Sequence, residues 1–290
     1  MIVIHDPACA EFGSAERPEQ PARVLKTVER LLTNHPEWLW QLPGDAPEEA
    51  ILLAHEPALL ARLRKPEEFD ADTPYFDGIA AHALRSVGGA LSVLDHALAG
   101  RKAFSLLRPP GHHATRKRAM GFCYLNQVAV AALAARRRGV ARVAVWDFDA
   151  HHGNGTEEIL AGVEGTLYVS VHQNPCYPGT GLASEGNCRN FPVAPRAPRE
   201  ALLEAMRQSW NAVLAFHPDL VLVSAGFDAY EHDPVAQLTF AATDFACLGR
   251  WVSESGLLAG AVLEGGYSSD LPLLVDTFLT AWSTPPPPPR

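Results

Sequence analysis

The sequence predicts an α/β fold: a single domain of three α/β/α layers, in which a mostly parallel sheet lies between two layers of helices. Short apolar segments alternate with longer helical segments along the 290 residues. Strands and helices that alternate in this way pair in parallel, because each helix crosses over to the start of the next strand. No internal repeat or linker divides the chain, so residues 1–284 are predicted to form one domain.

Six apolar or β-branched segments are the predicted strands: residues 2–5, 104–107, 142–148, 166–172, 220–225 and 259–263. Several of them are apolar at every position, which is typical of strands covered on both faces. The predicted helices are residues 22–32, 79–98, 124–138, 199–216, 243–255 and 271–282. The proline-rich residues 285–290 cannot continue a helix or a sheet, and we predict a disordered tail there.

The composition is that of an ordinary globular protein, with 47% hydrophobic and 20% charged residues. A formal net charge of -9 repels phosphate backbones, so no nucleic-acid partner is expected. No apolar run approaches the roughly 18 residues of a membrane span, so no membrane partner is expected either. The N-terminus lacks the pattern of a signal peptide. The five cysteines form no CxxC pair, which favours reduced thiols and a cytoplasmic location.

Polar residues gather where four of the predicted strands end. They are His112 and His113 after residues 104–107, Asp149 and His151 after 142–148, Asp228 after 220–225, and Tyr267 after 259–263. In parallel sheets, ligands bind outside the carboxyl ends of the strands. The sequence therefore predicts that these carboxylates, imidazoles and phenol meet at one edge of the sheet.

Asp149 and His151 are two residues apart on an extended segment, so their side chains point to the same side. A carboxylate and an imidazole in this arrangement can bind one divalent ion, and Asp228 can complete the set. Three protein ligands leave a coordination position open, which is typical of a catalytic metal site. The alternative is that these aspartates cap helices or accept hydrogen bonds from neighbouring amides, but the surrounding polar motifs favour the metal.

Five longer motifs stand out in the sequence, and four of them contain these polar residues. These are Arg108-Pro-Pro-Gly-His-His-Ala, Gly121-Phe-Cys, Asp147-Phe-Asp-Ala-His-His-Gly-Asn-Gly-Thr, Ser224-Ala-Gly-Phe-Asp and Glu264-Gly-Gly-Tyr. With these motifs the chain resembles the histone deacetylase superfamily from about residue 4 to residue 279. It is more similar to the class II branch than to class I, and the group includes bacterial deacetylase-like and acetylpolyamine amidohydrolases.

The resemblance implies the arginase-deacetylase fold and one zinc ion, or ferrous iron in its place, bound by Asp149, His151 and Asp228. The implied reaction is the removal of an acetyl or another acyl group from a lysine-like amine. Such an ion lowers the pKa of a bound water and polarises the amide carbonyl, so hydrolysis becomes feasible near neutral pH.

The resemblance also pairs His112 with Asp147 and His113 with Asn154. A carboxylate partner favours the imidazolium form, whereas a neutral amide does not. We therefore predict that His113 transfers the proton and that His112 is a more nearly cationic electrostatic helper. The alternative for two adjacent histidines is that both are hydrogen-bonded residues of the core.

Tyr267 is predicted to donate a hydrogen bond to the oxyanion that forms during the reaction. Gly265 and Gly266 allow the backbone angles that bring the phenol towards the metal. Some members of the superfamily that carry another residue at this position are weak deacetylases, so the tyrosine favours an active enzyme.

Gly121, Phe122 and Tyr177 are predicted to line a narrow tunnel for the apolar stem of the substrate. The family usually has phenylalanine where this chain has Tyr177, so a hydroxyl lies at or near the wall. Phe122 is also compatible with a plain core position. Asp72 matches the position at the rim that holds the substrate backbone in related enzymes, and Val235 occupies a position near the mouth.

Two further sites are implied by the resemblance. Arg23 matches an arginine near the internal path by which acetate leaves, although a solvated surface arginine is the alternative. A structural potassium ion is implied as well. Its ligands would be the side chains of Asp147 and Ser170 and the backbone carbonyls of Asp149, His151 and Val171.

Three alternative functions are weighed against deacetylation of acyl-lysine in proteins or peptides. An arginase-like enzyme with two metals needs another aspartate where this chain has Gly153. A catalytically silent module that binds acyl-lysine or metal would not need both histidines and the tyrosine. An acetylpolyamine amidohydrolase would place an acidic residue at the tunnel mouth, where this chain has Val235. Other acidic residues were considered as charges near the mouth, namely Asp6, Glu11, Glu231 and Asp233.

Overall fold

The structure, a computed structural model, describes residues 1–284 and contains one sheet of eight strands. The strands are β1 (Ile2–Ile4), β2 (Leu39–Gln41), β3 (Ala103–Ser105), β4 (Val143–Asp147), β5 (Thr166–Gln173), β6 (Cys188–Val193), β7 (Leu220–Ala225) and β8 (Ala259–Leu263). Their order across the sheet is β2-β1-β3-β8-β7-β4-β5-β6, and all seven pairings are parallel. The predicted α/β fold is therefore confirmed. The predicted proline-rich tail, residues 285–290, lies outside the described residues.

Nine α-helices accompany the sheet within residues 1–284. They are α1 (Ala22–Asn34), α2 (Glu48–Ile51), α3 (Pro57–Leu63), α4 (Ile79–Leu98), α5 (Gln127–Arg137), α6 (Asn154–Leu160), α7 (Arg199–Ala215), α8 (Ala242–Glu254) and α9 (Leu271–Ser283). A short 3-10 helix spans Pro7–Ala10. All six predicted helices are present, whereas α2, α3 and α6 are too short to show a clear helical period in the sequence.

The helices form two layers because alternate side chains of each strand point to opposite faces of the sheet. On β4, Ala144 and Trp146 join an apolar cluster with residues of α1, α7, α8 and α9. Val143 and Val145 join a second cluster with residues of α2 to α6. The central strands are therefore buried on both faces, which explains why they read as continuously apolar.

The sequence did not predict the two edge strands, β2 and β6. The side chains of β2 are exposed or half-buried, and those of β6 alternate between buried and exposed positions. Neither strand has the continuous apolar character by which the central strands were found. The helix predicted at residues 124–138 begins later, at Gln127, because the Asn126 side chain accepts a hydrogen bond from the Ala129 N–H at 3.0 Å and caps the helix.

The sheet order brings the polar segments together. Strands β3, β8, β7, β4 and β5 are consecutive in the sheet, and the polar motifs follow the carboxyl ends of four of them. None of the described helices is long and apolar enough to cross a membrane.

Candidate active site

Asp149, His151 and Asp228 converge at the carboxyl ends of β4 and β7. One potential ligand atom from each residue lies within 4.8 Å of the other two. His151 Nδ1 lies 3.2 Å from Asp149 Oδ1 and 2.9 Å from Asp228 Oδ2. Backbone N–H groups orient the carboxylates: Ala150 donates to Asp228 Oδ1 at 2.8 Å, and Gly265 donates to Asp149 Oδ2 at 2.7 Å.

The electrostatics of this cluster fit a divalent cation. All three side chains are buried, and among the described residues only histidines form salt bridges with the two carboxylates. Burial, with the nearby charge of Asp149, raises the pKa of Asp228 to about 7. Burial alone would lower the pKa of His151, but its hydrogen bonds with Asp149 and Asp228 outweigh this effect and raise it. With Asp147, three buried carboxylates share the two imidazoles of His112 and His151, so the cluster lacks a full counter-charge, which a metal ion would supply.

His112 carries a carboxylate partner, as the resemblance implied. Its Nδ1 lies 3.1 Å from Asp147 Oδ2, and its Nε2 lies 3.8 Å from Asp149 Oδ1. Burial alone would lower the pKa of His112, but the charges of Asp149 and Asp147 outweigh it and raise the pKa to about 10. The two carboxylates therefore favour the imidazolium form of the His112 ring.

His113 has a different environment, although its ring centroid is only 4.0 Å from that of His112. Its Nδ1 lies 2.9 Å from Asn154 Oδ1, and Asn154 Nδ2 faces the His113 carbonyl oxygen at 3.4 Å. Because the amide oxygen only accepts, Nδ1 carries the proton and Nε2 carries a lone pair. Burial lowers the pKa of His113 well below its ordinary value, and the positive charges of His112 and His151 lower it further.

A cavity of about 280 Å³ leads to this cluster. Its lining residues are Arg17, Pro18, Asp72, His113, Gly121, Phe122, His151, Tyr177, Val235 and Tyr267. All five predicted tunnel residues are therefore brought together beside one predicted metal ligand and two predicted catalytic side chains. The Tyr177 ring stands perpendicular to the His113 ring with centroids 5.1 Å apart, and the Phe122 ring lies 5.7 Å from the Tyr267 ring.

Gly121 keeps the wall of this cavity narrow. A Cβ atom at this position would lie 2.7 Å from His113 Cδ2 and 2.9 Å from Tyr177 Cε1, which is closer than real contacts allow. The backbone also has a positive φ of 57° there, which favours glycine. The next residue, Phe122, has a φ of 68° as well, so the turn directs its ring into the cavity lining.

The chain matches the family model described as the histone deacetylase domain over residues 16–280. It belongs to the histone deacetylase family. It is 35% identical to a probable deacetylase of Methanothermobacter thermautotrophicus, over 93% of this chain and 86% of the relative. It is also 35% identical to the histone deacetylase-like amidohydrolase of Pseudomonas aeruginosa, over 91% of this chain and 75% of the relative. The crystal structure of acetylpolyamine aminohydrolase from Burkholderia pseudomallei superposes with a TM-score of 0.91 at 27% identity, covering 97% of this chain and 98% of that one.

Membership of the deacetylase family makes this chain a hydrolase that acts on amide bonds. The sheet is that of the arginase-deacetylase fold, as the sequence implied. The family is zinc-dependent, and the cluster of Asp149, His151 and Asp228 is the candidate metal site of this member.

Tyr267 lines the cavity of this family member, and Arg23 lies next to it. Arg23 is buried, with its guanidinium carbon 4.8 Å from the centroid of the Tyr267 ring. Its Nε donates to the Gly266 carbonyl oxygen at 2.7 Å. Both side chains border a second cavity of about 210 Å³, and Tyr267 lines both this cavity and the first one. Burial raises the pKa of the Tyr267 phenol well above its ordinary value, so the phenol stays protonated.

Sequence reasoning missed a function of Glu264, whose side chain supports the histidine segment. Its Oε2 accepts hydrogen bonds from the Gly111 and His112 backbone N–H groups at 2.7 Å and 3.1 Å. Burial raises the pKa of Glu264 to about 7. The position of Glu264 directly after an apolar strand was a sign in the sequence that this residue could have a function. Its hydrogen-bond partners could not be inferred, because they lie more than 150 positions away in the chain.

A buried ion-pair cluster behind the site was also missed. Glu19 accepts hydrogen bonds from Arg108 Nε at 2.5 Å and from Arg23 NH1 at 3.1 Å. Arg108 also donates to the Cys9 carbonyl oxygen at 3.0 Å. The cluster fixes the N-terminal segment against the loop that carries His112.

Two of the acidic residues considered for the tunnel mouth have other partners. Asp233 is buried and accepts hydrogen bonds from the backbone N–H groups of Tyr267 and Val235, at 2.7 Å and 2.9 Å. Asp6 forms a salt bridge with Arg85 at 2.6 Å. Glu11 and Glu231 are absent from the cavity lining. Asp72 is the acidic residue of that lining.

Proposed function

We propose that this family member is a zinc-dependent deacetylase that removes acetyl groups from lysine side chains of proteins or peptides. One observation carries the proposal: the cluster of Asp149, His151 and Asp228 adjoins a cavity lined by aromatic rings, a neutral histidine and a tyrosine phenol. The cavity has apolar walls for a stem of methylene groups and polar groups at its inner end.

Asp149, His151 and Asp228 would hold the zinc ion. When bound there, the ion polarises the amide carbonyl and lowers the pKa of water. The donor set suits zinc because it combines one imidazole with two carboxylates. The backbone N–H groups of Ala150 and Gly265 fix the two carboxylates, so the protein orients the donors before an ion arrives.

His113 is the proposed base and acid. Its Nδ1 proton is donated to Asn154, so Nε2 is the atom that takes the proton of the attacking water. The same Nε2 then returns that proton to the leaving amine. His112 stays charged beside Asp147 and stabilises negative charge as it develops.

Tyr267 is the proposed oxyanion donor. Its phenol is protonated, and its ring packs between the Arg23 guanidinium and the Phe122 ring, while Asp233 accepts a hydrogen bond from its backbone N–H. Phe122 and Tyr177 are the proposed tunnel walls, and Asp72 is proposed to hold the substrate backbone at the rim. Arg23 is proposed to lie on the path by which acetate leaves through the second cavity.

An acetylated small amine is the second candidate substrate, because the structural relative superposed above is named an acetylpolyamine aminohydrolase. Val235 lines the cavity where an acidic side chain would hold a distant ammonium group. This apolar residue favours acyl-lysine over acetylpolyamine for the present chain.

A structural potassium ion is proposed beneath the site. Asp147 pairs in register with Ser170 on one side and with Ser224 on the other, so the three polar side chains point to one face of the sheet. The Ser224 hydroxyl is buried and has no hydrogen-bond partner among the described residues. The proposed ligands are the side chains of Asp147 and Ser170 and the carbonyl oxygens of Asp149, His151 and Val171.

The test compares hydrolysis of an acetyl-lysine peptide and of an acetylpolyamine by the purified chain. We expect turnover of the peptide, its loss on chelation and its return with added zinc. Asp228→Asn should be inactive, whereas Asp219→Asn, an exposed aspartate at the opposite end of β7, should be active. Peptide binding without turnover would support a silent binding module and contradict the proposal. Turnover of the polyamine alone would assign the second substrate.

A further inference from the structure

Arg17 lies at the mouth of the tunnel and lines it together with Asp72 and Val235. Its side chain is half-buried, and NH1 donates to the Ala71 carbonyl oxygen at 3.2 Å. That contact holds the guanidinium near Asp72, at the exposed rim of the cavity.

The guanidinium of Arg17 has unused hydrogen-bonding capacity. Its one side-chain hydrogen bond within residues 1–284 is the bond to Ala71, and none of the described carboxylates lies within salt-bridge distance. Four of its five N–H groups are therefore left for a ligand. The planar guanidinium presents N–H groups that can donate hydrogen bonds to a carboxylate or to a peptide carbonyl, and its positive charge repels an ammonium group.

The other charges near the mouth balance one another. Asp72 is the carboxylate and Arg17 is the guanidinium among the residues that line the cavity. Asp70 and Arg118 are near enough to shift the pKa of the Tyr177 phenol in opposite directions. Asp70 already accepts hydrogen bonds from the backbone N–H groups of Asp72 and Thr73, at 3.0 Å and 2.7 Å. With Arg17 counted, two carboxylates face two guanidinium groups. The rim therefore lacks the negative field that a polyamine would need, despite the net charge of -9 of the whole chain.

We propose that Arg17 binds the carbonyl or carboxylate at the α-carbon end of an acyl-lysine and so selects acyl-lysine over acetylpolyamines. The inference rests on the proposed deacetylase function and deepens it. An acyl-lysine presents an oxygen acceptor at the mouth when its acyl group lies at the metal cluster. An acetylpolyamine has an ammonium group in that region, and Arg17 repels it.

The experiment measures kcat/KM for four substrates. Nε-acetyl-lysine blocked at its α-amine offers a carboxylate, and the corresponding α-blocked amide offers a carbonyl in its place. N1-acetylspermidine offers ammonium groups, and N-butylacetamide offers no distal group and is the reference. The variants are Arg17→Glu, Arg17→Lys and the control Arg101→Glu, which has the same charge change at an exposed site before the amino end of β3.

We expect Arg17→Glu to lower the acetyl-lysine to acetylspermidine ratio of kcat/KM at least about 10-fold, because charge-assisted hydrogen bonds become repulsion. Arg17→Lys should keep most of the preference, and Arg101→Glu should keep all of it. A larger effect on the free acid than on the blocked amide would identify a carboxylate ligand, and equal effects would identify a carbonyl.

The inference and the function fail in different ways. Cleavage of N-butylacetamide and acetyl-lysine by the native chain would support the deacetylase function. If Arg17→Glu then leaves the acetyl-lysine to acetylspermidine ratio of kcat/KM within about twofold of the Arg101→Glu value, the assignment of Arg17 is wrong although the deacetylase function stands. This threshold is far below the expected change for a charged hydrogen bond. If the zinc-loaded native chain cleaves none of the four substrates, the proposed function itself is contradicted.

Discussion

Replacing Asn154 by aspartate would put a carboxylate where an amide oxygen now accepts a hydrogen bond from His113 Nδ1 at 2.9 Å. In the native chain, burial and the charges of His112 and His151 keep the pKa of His113 well below its ordinary value. His113 is therefore neutral and can accept a proton. A new carboxylate stabilises the charged form of the ring instead.

The size of this effect follows from the short distance. Two opposite unit charges about 4 Å apart attract each other by about 4 kcal/mol at an effective dielectric constant of 20. Since 1.36 kcal/mol corresponds to one pH unit, the upper bound is about 3 units, and opposite charges at this range usually shift a pKa by about 1–3. The pKa of His113 rises, so a higher pH is needed to free its Nε2. The acidic limb of the pH–rate profile therefore moves upward by about 1–3 pH units.

The assay is kcat/KM for an acetyl-lysine peptide from mildly acidic to mildly alkaline pH, with metal content measured in parallel. Asn211→Asp is the control, because Asn211 is exposed on α7 and the substitution changes the net charge by the same amount. If the acidic limbs of Asn154→Asp and Asn211→Asp coincide while both proteins hold metal, His113 is not the base that the profile reports.

Three further outcomes are expected. Tyr267→Phe should keep the metal but lower kcat by about 10²–10³, as the loss of one oxyanion donor does; near-native kcat would show that the phenol is not that donor. His113→Ala should abolish turnover with metal retained, and His112→Ala should leave more residual activity; the reverse order in kcat assays would contradict the division between the two histidines. Gly121→Ala should lower kcat/KM by about 100-fold, because the added methyl group would displace the His113 ring and misalign the reacting groups. A native kcat/KM would mean that the cavity wall can shift to accommodate the methyl group.

Much of the fold was visible in the sequence because its centre is buried on both faces. Strands β7 and β8 and helix α4 begin and end at the predicted residues; the two strands are marked by their nearly continuous apolar character. Strands β2 and β6 were missed because edge strands have one side without a partner strand and keep polar or exposed side chains. Edge strands are thus hard to distinguish from loops by periodicity alone.

The site was predictable to the extent that it follows strand ends. Asp149, His151 and Asp228 meet because the strands before them are neighbours in one parallel sheet. The contacts of Glu264 and the availability of Arg17 were not predictable, because they depend on which distant segments pack together. The spacing of residues along the chain does not reveal that Glu264 accepts a hydrogen bond from the Gly111 N–H or that Arg17 donates one to the Ala71 carbonyl oxygen.

The position of β8 in the sheet has a consequence for how the protein is made. This strand comes last in the chain, yet it lies between β3 and β7 near the middle of the sheet. Until it emerges from the ribosome, β1 to β3 and β4 to β7 have no strand to join them into one sheet. The loop after β8 also carries Glu264 and Tyr267, so the support of the histidine segment and the proposed oxyanion donor are the last parts of the site to be synthesised.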